Sequence, residues 1–276
     1  MRRLVTDTMI IAERNLIRLP RKPELLLAFT VQPIMFVLLF AYVFGGAIPT
    51  PGHSYIDFLI PGILVQTMSF GGFVTAMGIA EDLRKGLIDR FRSLPMARSA
   101  VLAGRTLSDI ATNAISITVM LIVGIIIGFG FEAPFLHVVL GLLILLLFGY
   151  AFSWVFAFIG LTSSSPEAAQ SLGFIIIFPL TFVSSAFVPP ETMPAALQWF
   201  AEWNPFSITV NAIRALFIGD PAGNTVWGAI AWSLGIAAVF AFLAVTRYKR
   251  AVVRLFSREE FSLRHTDAHN TRVFLS

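Results

Sequence analysis

Long apolar stretches separated by short polar segments dominate this chain. A helix needs about 20 mostly apolar residues to cross the hydrocarbon core of a bilayer, because every backbone N–H and C=O must be hydrogen-bonded where water is absent. Six stretches meet this requirement, at about Leu25–Phe44, Ile56–Ala80, Thr106–Gly130, Phe135–Leu161, Ala168–Val188 and Thr225–Thr246. The pattern predicts an all-α, polytopic integral membrane protein with six transmembrane helices.

The fourth and fifth stretches are separated only by the polar turn at residues 162–167, Thr-Ser-Ser-Ser-Pro-Glu. Ser165 is predicted to cap the fifth helix, because a serine hydroxyl accepts the free backbone N–H groups of a first turn. Pro166 is predicted at the first helical position, where its missing N–H costs nothing.

Positive charge sets the orientation of membrane proteins, since cytoplasmic loops hold most Lys and Arg. Of the 20 Lys and Arg residues, all except Arg214 lie in the N-terminal segment, in residues 84–105 or in the tail from Arg247. These segments fall on one side of a six-span protein. The sequence therefore predicts a multi-pass protein of the cell (plasma) membrane with both termini cytoplasmic. Arg214 is expected outside, facing water or pairing with an acid such as Glu202 or Asp220.

The terminal segments differ from the spans. Residues 1–24 have the pattern of an amphipathic helix, which is typical either of a basic flank that fixes topology or of an interfacial helix that touches a partner. Residues 25–250 form the six-span domain. Residues 251–276 form a polar cytoplasmic tail whose composition is typical of disordered segments.

The loop after the second span has a helical pattern of its own. Glu81 and Asp82 open it, where the helix dipole favours acids, and Pro95 ends it. Between them, apolar residues recur at helical spacing among charges, at Leu83, Leu87, Phe91 and Leu94. A projecting amphipathic helix of this kind fits a groove on another protein. A topology-setting basic loop that rests on lipid headgroups has the same pattern.

Residues 189–224 form the longest extracellular connection. It begins at Pro189, and Trp199 and Trp203 are typical of the membrane interface. The Asn204-Pro205 pair breaks the chain between two short apolar segments, neither of which spans a bilayer. We expect an extracellular re-entrant or interfacial helical hairpin, with its aromatic residues as membrane anchors.

Ionisable residues are absent from the interior of the predicted spans; Asp57, Asp109, Glu132 and His137 lie near their boundaries. A charge at mid-membrane costs at least ~2.5–3.5 kcal/mol, and ion-coupled carriers keep one because their mechanism needs it. The pattern thus argues against proton antiport. Neutral polar residues within the spans line a path for an amphipathic substrate or hydrogen-bond neighbouring helices. They are Gln32, Gln66, Thr67, Asn113 and Ser116.

Composition excludes several function classes. With 57% hydrophobic and 13% charged residues and a mean hydropathy of +0.80, the chain does not suit a water-soluble surface. It has no cysteine, no G-x-x-x-x-G-K-[ST] phosphate loop and no histidines at metal-ligand spacing. We therefore expect no catalytic residue, metal or cofactor in this chain, and no nucleic-acid partner. A lipid-modifying membrane enzyme and a non-transporting scaffold are the alternatives to a transporter.

Several local patterns together resemble a known family. They are Glu81, Gly86, Leu94, Pro95 and Gly104 in the cytoplasmic loop, Phe187-Val188-Pro189 through Pro194, and Asn204-Pro205-Phe206 followed by Arg214. Their order along residues 5–250 is similar to that of the permease subunits of type-2 ABC transporters, the branch that includes the daunorubicin and other antibiotic exporters.

The resemblance implies an exporter of an apolar or amphipathic substrate, such as a drug, an antibiotic or a lipid. Two permeases, expected to be a homodimer, form the pathway, and separate ATPase subunits bind ATP and Mg. The N-terminal amphipathic helix joins the contact with the ATPase. The family's coupling helix, which docks on the ATPase, corresponds to Glu81, Asp82, Leu83, Arg84, Gly86, Leu87, Arg90, Phe91, Leu94 and Pro95.

Overall fold

The computed structural model of the chain describes residues 23–45, 48, 50, 53–85 and 98–248, and every regular element within these ranges is helical, as predicted. The helices are α1 (Pro23–Leu38, continued by a π-helical turn at Leu39–Phe44), α2 (Tyr55–Phe70), α3 (Gly72–Arg84), α4 (Arg98–Ile126), α5 (Phe135–Thr162), α6 (Pro166–Phe182), α7 (Ala195–Trp203), α8 (Pro205–Ile218) and α9 (Thr225–Tyr248). The predictions for residues 1–22, 86–97 and 249–276 lie outside the described residues.

In the described part of the chain, 4 helical runs are long and apolar enough to cross a membrane. They are Tyr55–Arg84, in which α2 and α3 follow each other across Gly71, Leu102–Ile126, Phe135–Thr162 and Thr225–Tyr248. Shorter apolar helices, α1 and α6, lie at the first and fifth predicted spans. A polytopic membrane protein is therefore the fold class.

The predicted start of α6 is confirmed, because the Ser165 hydroxyl accepts the Ala168 N–H and Pro166 begins the helix. Its predicted end at Val188 is wrong. The helix stops at Phe182, and the chain turns through buried residues up to Phe187. The turn is stable because polar groups of α8 and of the turn itself bind its backbone, including the Ser207 hydroxyl, which accepts the Ser185 N–H at 3.0 Å.

Helix α5 lies at the centre of the fold and packs on α2, α3, α4, α6 and α8. Small residues allow this close packing, as in many membrane proteins. A Cβ at Gly160 of α5 would lie 2.5 Å from the carbonyl oxygen of Ala76 on α3. On its other side α5 meets α9, where the Phe158 and Phe240 ring centroids are 5.9 Å apart.

The helical hairpin predicted for residues 189–224 is confirmed as α7 and α8, with the break at Asn204-Pro205. Helix α8 is almost wholly buried, from Phe206 to Ile218. It ends at Gly219, whose φ of 80° closes the helix in the left-handed conformation that glycine adopts without strain.

Candidate functional site

The C-terminal end of α3 leads directly into the segment for which a coupling helix is predicted. Glu81 and Asp82 belong to the last turns of α3, which continues through Arg84 and is capped by Lys85. The expectation that these acids open a separate helix is therefore wrong. They are instead paired with bases, because Lys85 contacts Glu81 and Arg105 Nη1 of α4 lies 3.0 Å from Asp82 Oδ2. Leu83 is half-buried and Arg84 is exposed.

Deeper in the same helices lies a buried carboxylate. Asp109 of α4 is 8% exposed, and Thr75 Oγ1 of α3 lies 2.7 and 2.9 Å from its two carboxylate oxygens. Ser153 of α5 lies beside the same carboxylate. Asp109 was predicted to lie near a span boundary. Helix α4 begins at Arg98 and its apolar run at Leu102, so Asp109 lies about two turns inside that run.

One turn further along α4, the Asn113 amide is wedged between two glycines. Its Oδ1 lies against Gly71, at the break between α2 and α3, and its Nδ2 against Gly149 of α5. Asn113 is 1% exposed, and Nδ2 is a buried donor with no hydrogen-bond partner among the described residues. Such an atom calls for an explanation, since nearly all buried polar atoms are paired.

These contacts form one continuous row, which we call the polar seam: Asp82–Arg105, Thr75–Asp109 and Gly71–Asn113. The polar seam was not predicted as one feature. Asp82 was assigned to the loop helix, Asp109 to a span boundary and Asn113 to a substrate path. The signal was present in the spacing, since Arg105, Asp109 and Asn113 recur every fourth residue along an otherwise largely apolar helix.

The residues suggested to line a substrate path differ in their exposure. Gln66, Thr67 and Asn113 are buried, and the Thr67 hydroxyl donates to the Ile63 carbonyl of its own helix. Gln32 is exposed on α1, and Ser116 is half-buried on α4.

Arg214 of α8 is the centre of a second polar network. The guanidinium is 4% exposed and donates to the carbonyls of Phe58 on α2 and Ser185 beyond α6, at 2.8 and 2.7 Å, and to Asn211 Oδ1. It also stacks 3.5 Å from the centre of the Phe58 ring. The expectation that Arg214 faces water or pairs with Glu202 or Asp220 is wrong, because α8 inserts deeply enough for neutral groups to satisfy the cation.

The Asn204 side chain joins the α7–α8 hairpin to the end of α6 by hydrogen bonds. Its Nδ2 donates to the carbonyls of Leu180 and Val183 at 2.6 and 2.7 Å, and its Oδ1 accepts the Phe206 N–H at 2.9 Å. One buried amide therefore pairs with two carbonyls at the end of α6 and with a backbone N–H at the start of α8. Neighbouring Pro189 is buried and Pro205 begins α8.

Helix α7 presents three different faces. Ala201 is buried, Gln198 and Glu202 form a polar side, and the remaining arc is aromatic and exposed, with Trp199 at 66% and Trp203 at 65%. This division is typical of a helix that lies in a membrane interface.

A row of aromatic rings connects α1 with α6, and we call it the aromatic row. Its members are Phe36, Phe40, Phe187, Phe182 and Phe178, with successive ring centroids 6.0, 4.7, 5.2 and 4.3 Å apart. The rings are nearly parallel, with interplanar angles of 13–28°. Exposed apolar residues flank it, among them Met35 on α1 and Ile175 on α6.

Comparison with known proteins agrees with this architecture. The ABC-2 type transporter family profile matches residues 6–218. The chain is 36% identical over 227 residues to the daunorubicin resistance ABC transporter permease protein DrrB1 of Streptomyces coeruleorubidus, covering 82% of this chain and 80% of that protein. It is 24% identical to the probable doxorubicin resistance ABC transporter permease protein DrrC of Mycobacterium tuberculosis, over 91% of both chains.

A third relative, the probable multidrug ABC transporter permease YbhR of Escherichia coli K12, is 21% identical over 74% of this chain and 55% of its own length. The family match, the names of these relatives and the apolar helices all indicate a membrane permease. The chain belongs to the ABC-2 type transporter family and is a membrane permease of an ABC exporter.

Proposed function

We propose that two copies of this permease, with separate ATPase subunits that bind ATP and Mg, move an apolar or amphipathic, drug-like substrate out of the cell. The match to the ABC-2 type family over residues 6–218 is the observation that carries the proposal. In the proposed topology α1, the α2–α3 run, α4, α5, α6 and α9 are the six spans, and both termini are cytoplasmic. Residues 1–24 lie along the cytoplasmic membrane surface.

The ATPase docks on residues 81–95 in this proposal. The described residues support it indirectly, because α3 and α4, which flank residues 86–97, are joined by polar contacts at their cytoplasmic ends. Leu87 would enter the groove of the ATPase, together with Gly86, Arg90, Phe91, Leu94 and Pro95.

The second copy is proposed to face α1 and α6. The aromatic row and the exposed apolar residues beside it support this arrangement, since they would form an apolar wall between two copies. Flat aromatic drugs stack well on such rings. The names of the two resistance permeases, which specify daunorubicin and doxorubicin, suggest the same substrate chemistry. Gln32 and Ser116, which are not buried, are the accessible polar residues of this path.

The test is reconstitution. The permease is co-purified with its ATPase from the native membrane, and uptake of a fluorescent anthracycline is followed in proteoliposomes with ATP outside the vesicles. We expect ATP-dependent accumulation and substrate-stimulated hydrolysis. Leu87→Asp should release the ATPase, whereas the control Ser93→Asp, which places the same charge off the apolar face, should not. Failure of any ATPase to bind the unmodified permease, or hydrolysis that no substrate stimulates, would refute the proposal.

A further inference from the structure

The polar seam carries an inference beyond this function. We propose that it fixes α3 and α4 to each other as one rigid unit, so that displacement of residues 86–97 is delivered to the break between α2 and α3 at Gly71. The inference rests on the proposed function, because it takes the ATPase to be what displaces residues 86–97. Asp82, Thr75, Arg105 and Asp109 are then positioning residues for transport.

The spacing of the contacts supports a rigid unit. Arg105 and Asp109 are one turn apart on α4, and their partners Asp82 and Thr75 are two turns apart on α3. The two helices run in opposite directions, so the contacts lie at successive depths from the cytoplasmic end. Between them Gly78 leaves room for the Arg105 guanidinium to lie directly on α3. Two contacts at different depths prevent both sliding and rotation, which a single contact does not.

The Thr75–Asp109 contact is buried among apolar side chains. Thr75 is 1% exposed and Asp109 8%, within helices that are otherwise largely apolar. An ionisable side chain in an apolar membrane helix has a high energetic cost, so such a residue usually has a functional role. Apolar side chains would hold two helices together at lower cost, but without fixing a unique register.

The seam ends where the packing can change. At Gly71 the third contact offers an Asn113 donor that lacks a partner among the described residues, whereas the first two contacts are complete. An unpaired buried donor is energetically unfavourable. A movement of the neighbouring backbone that brings a carbonyl oxygen to Asn113 Nδ2 would therefore be stabilised by the new hydrogen bond. The rigid unit therefore stops at the helix break, and motion above Gly71 rearranges α2 against α4 and α5.

The experiment measures transport per ATP hydrolysed by the reconstituted permease–ATPase complex. Thr75→Val and Arg105→Gln should lower this ratio by roughly fivefold or more, the lower end of the usual coupling between two sites, while the ATPase still co-purifies. Exchanging the charges in Asp82→Arg with Arg105→Asp should restore it. Thr118→Val is the matched control, since Thr118 is exposed on the opposite face of α4 and donates only to its own helix. Unchanged ratios in both seam variants would overturn the proposal.

A second measurement tests rigidity itself. The chain contains 0 cysteines, so Asp82→Cys with Arg105→Cys can be bridged selectively by a short bifunctional thiol reagent. Before bridging, the double variant lacks the Asp82–Arg105 contact and should show the lowered ratio of transport to hydrolysis; a bridge formed by a reducible methanethiosulfonate reagent should restore that ratio. Transport that stops on bridging and returns with reductant would show that the seam opens, and failure to bridge would contradict the contact. An unmodified permease that binds no ATPase would refute the proposed function instead, and bridging would still decide whether α3 and α4 are joined.

Discussion

Changing Asn204 to Asp replaces one NH2 group by an oxygen of the same size. In the native chain that NH2 group lies 2.6 and 2.7 Å from two carbonyl oxygens, of Leu180 and Val183. These are among the last carbonyls of α6, which no further helical turn covers. The substituted carboxylate would place an acceptor against two acceptors, while the hydrogen bond from the Phe206 N–H would survive.

The magnitude follows from the groups left unpaired. Each buried carbonyl that loses its partner costs about 1–3 kcal/mol. The helix cap at Phe206, worth about 1 kcal/mol, is retained. Two orphaned carbonyls therefore destabilise the hairpin by at least about 2 kcal/mol, before any repulsion between the oxygens. For a chain of this size, that minimum corresponds to a melting temperature lower by roughly 4–8 °C.

The assay is thermal unfolding of the purified permease, followed by intrinsic tryptophan fluorescence. Asn224→Asp is the matched control, because Asn224 is exposed and directly precedes α9, where a negative charge suits the helix N-terminus. Its melting temperature should change by less than about 2 °C. An Asn204→Asp variant that melts with the wild type, or a control that loses as much, would refute the assigned direction of these hydrogen bonds.

Three further expectations follow from the packing. Gly160→Val should lower the free energy of unfolding by about 3 kcal/mol or more, since any Cβ meets the backbone of α3, whereas Gly235→Val, with nothing within 4 Å, should be nearly neutral in the same melting assay. Phe182→Ala should raise the KM for a fluorescent anthracycline roughly threefold to tenfold by interrupting the aromatic row, and Phe182→Leu, which keeps an apolar side chain, should raise it less. In variants that keep only Trp199 or Trp203, fluorescence should be quenched most by lipids brominated near the headgroup; deeper quenching would contradict an interfacial α7.

Much of this fold was predictable because membrane spans obey simple rules of length and hydrophobicity. The Ser165-Pro166 helix start and the Asn204-Pro205 break are local signals, in which cap and ring chemistry act on adjacent residues, and both were confirmed. The end of α6 was not predictable in this way. Residues 183–188 are apolar enough to continue a helix, and groups distant in the chain, such as Asn204 and Ser207, help to stabilise the turn that replaces it.

The site shows the same division. The helical hairpin and its aromatic residues were located by pattern, whereas the partners of Arg214 and Asp109 were not. Arg214 was assigned to water because hydropathy treats a connection between spans as exterior. Asp109 was assigned to a boundary because apolar runs alone do not show where α4 starts. In both cases the deciding contacts join distant residues: Asp109 and Thr75 are 34 positions apart, and Arg214 and Phe58 are 156 positions apart.

The buried Arg214 also constrains how the chain is made. A lone arginine is costly to insert into lipid, by about 2.5 kcal/mol or more. Its acceptors, Phe58 and Ser185, both precede it in the chain and are synthesised before it. Synthesis from the N-terminus can thus present α8 with a partly assembled surface on which to pack. In a permuted gene that encodes α8 ahead of α2, Arg214 would be synthesised before its hydrogen-bond acceptors.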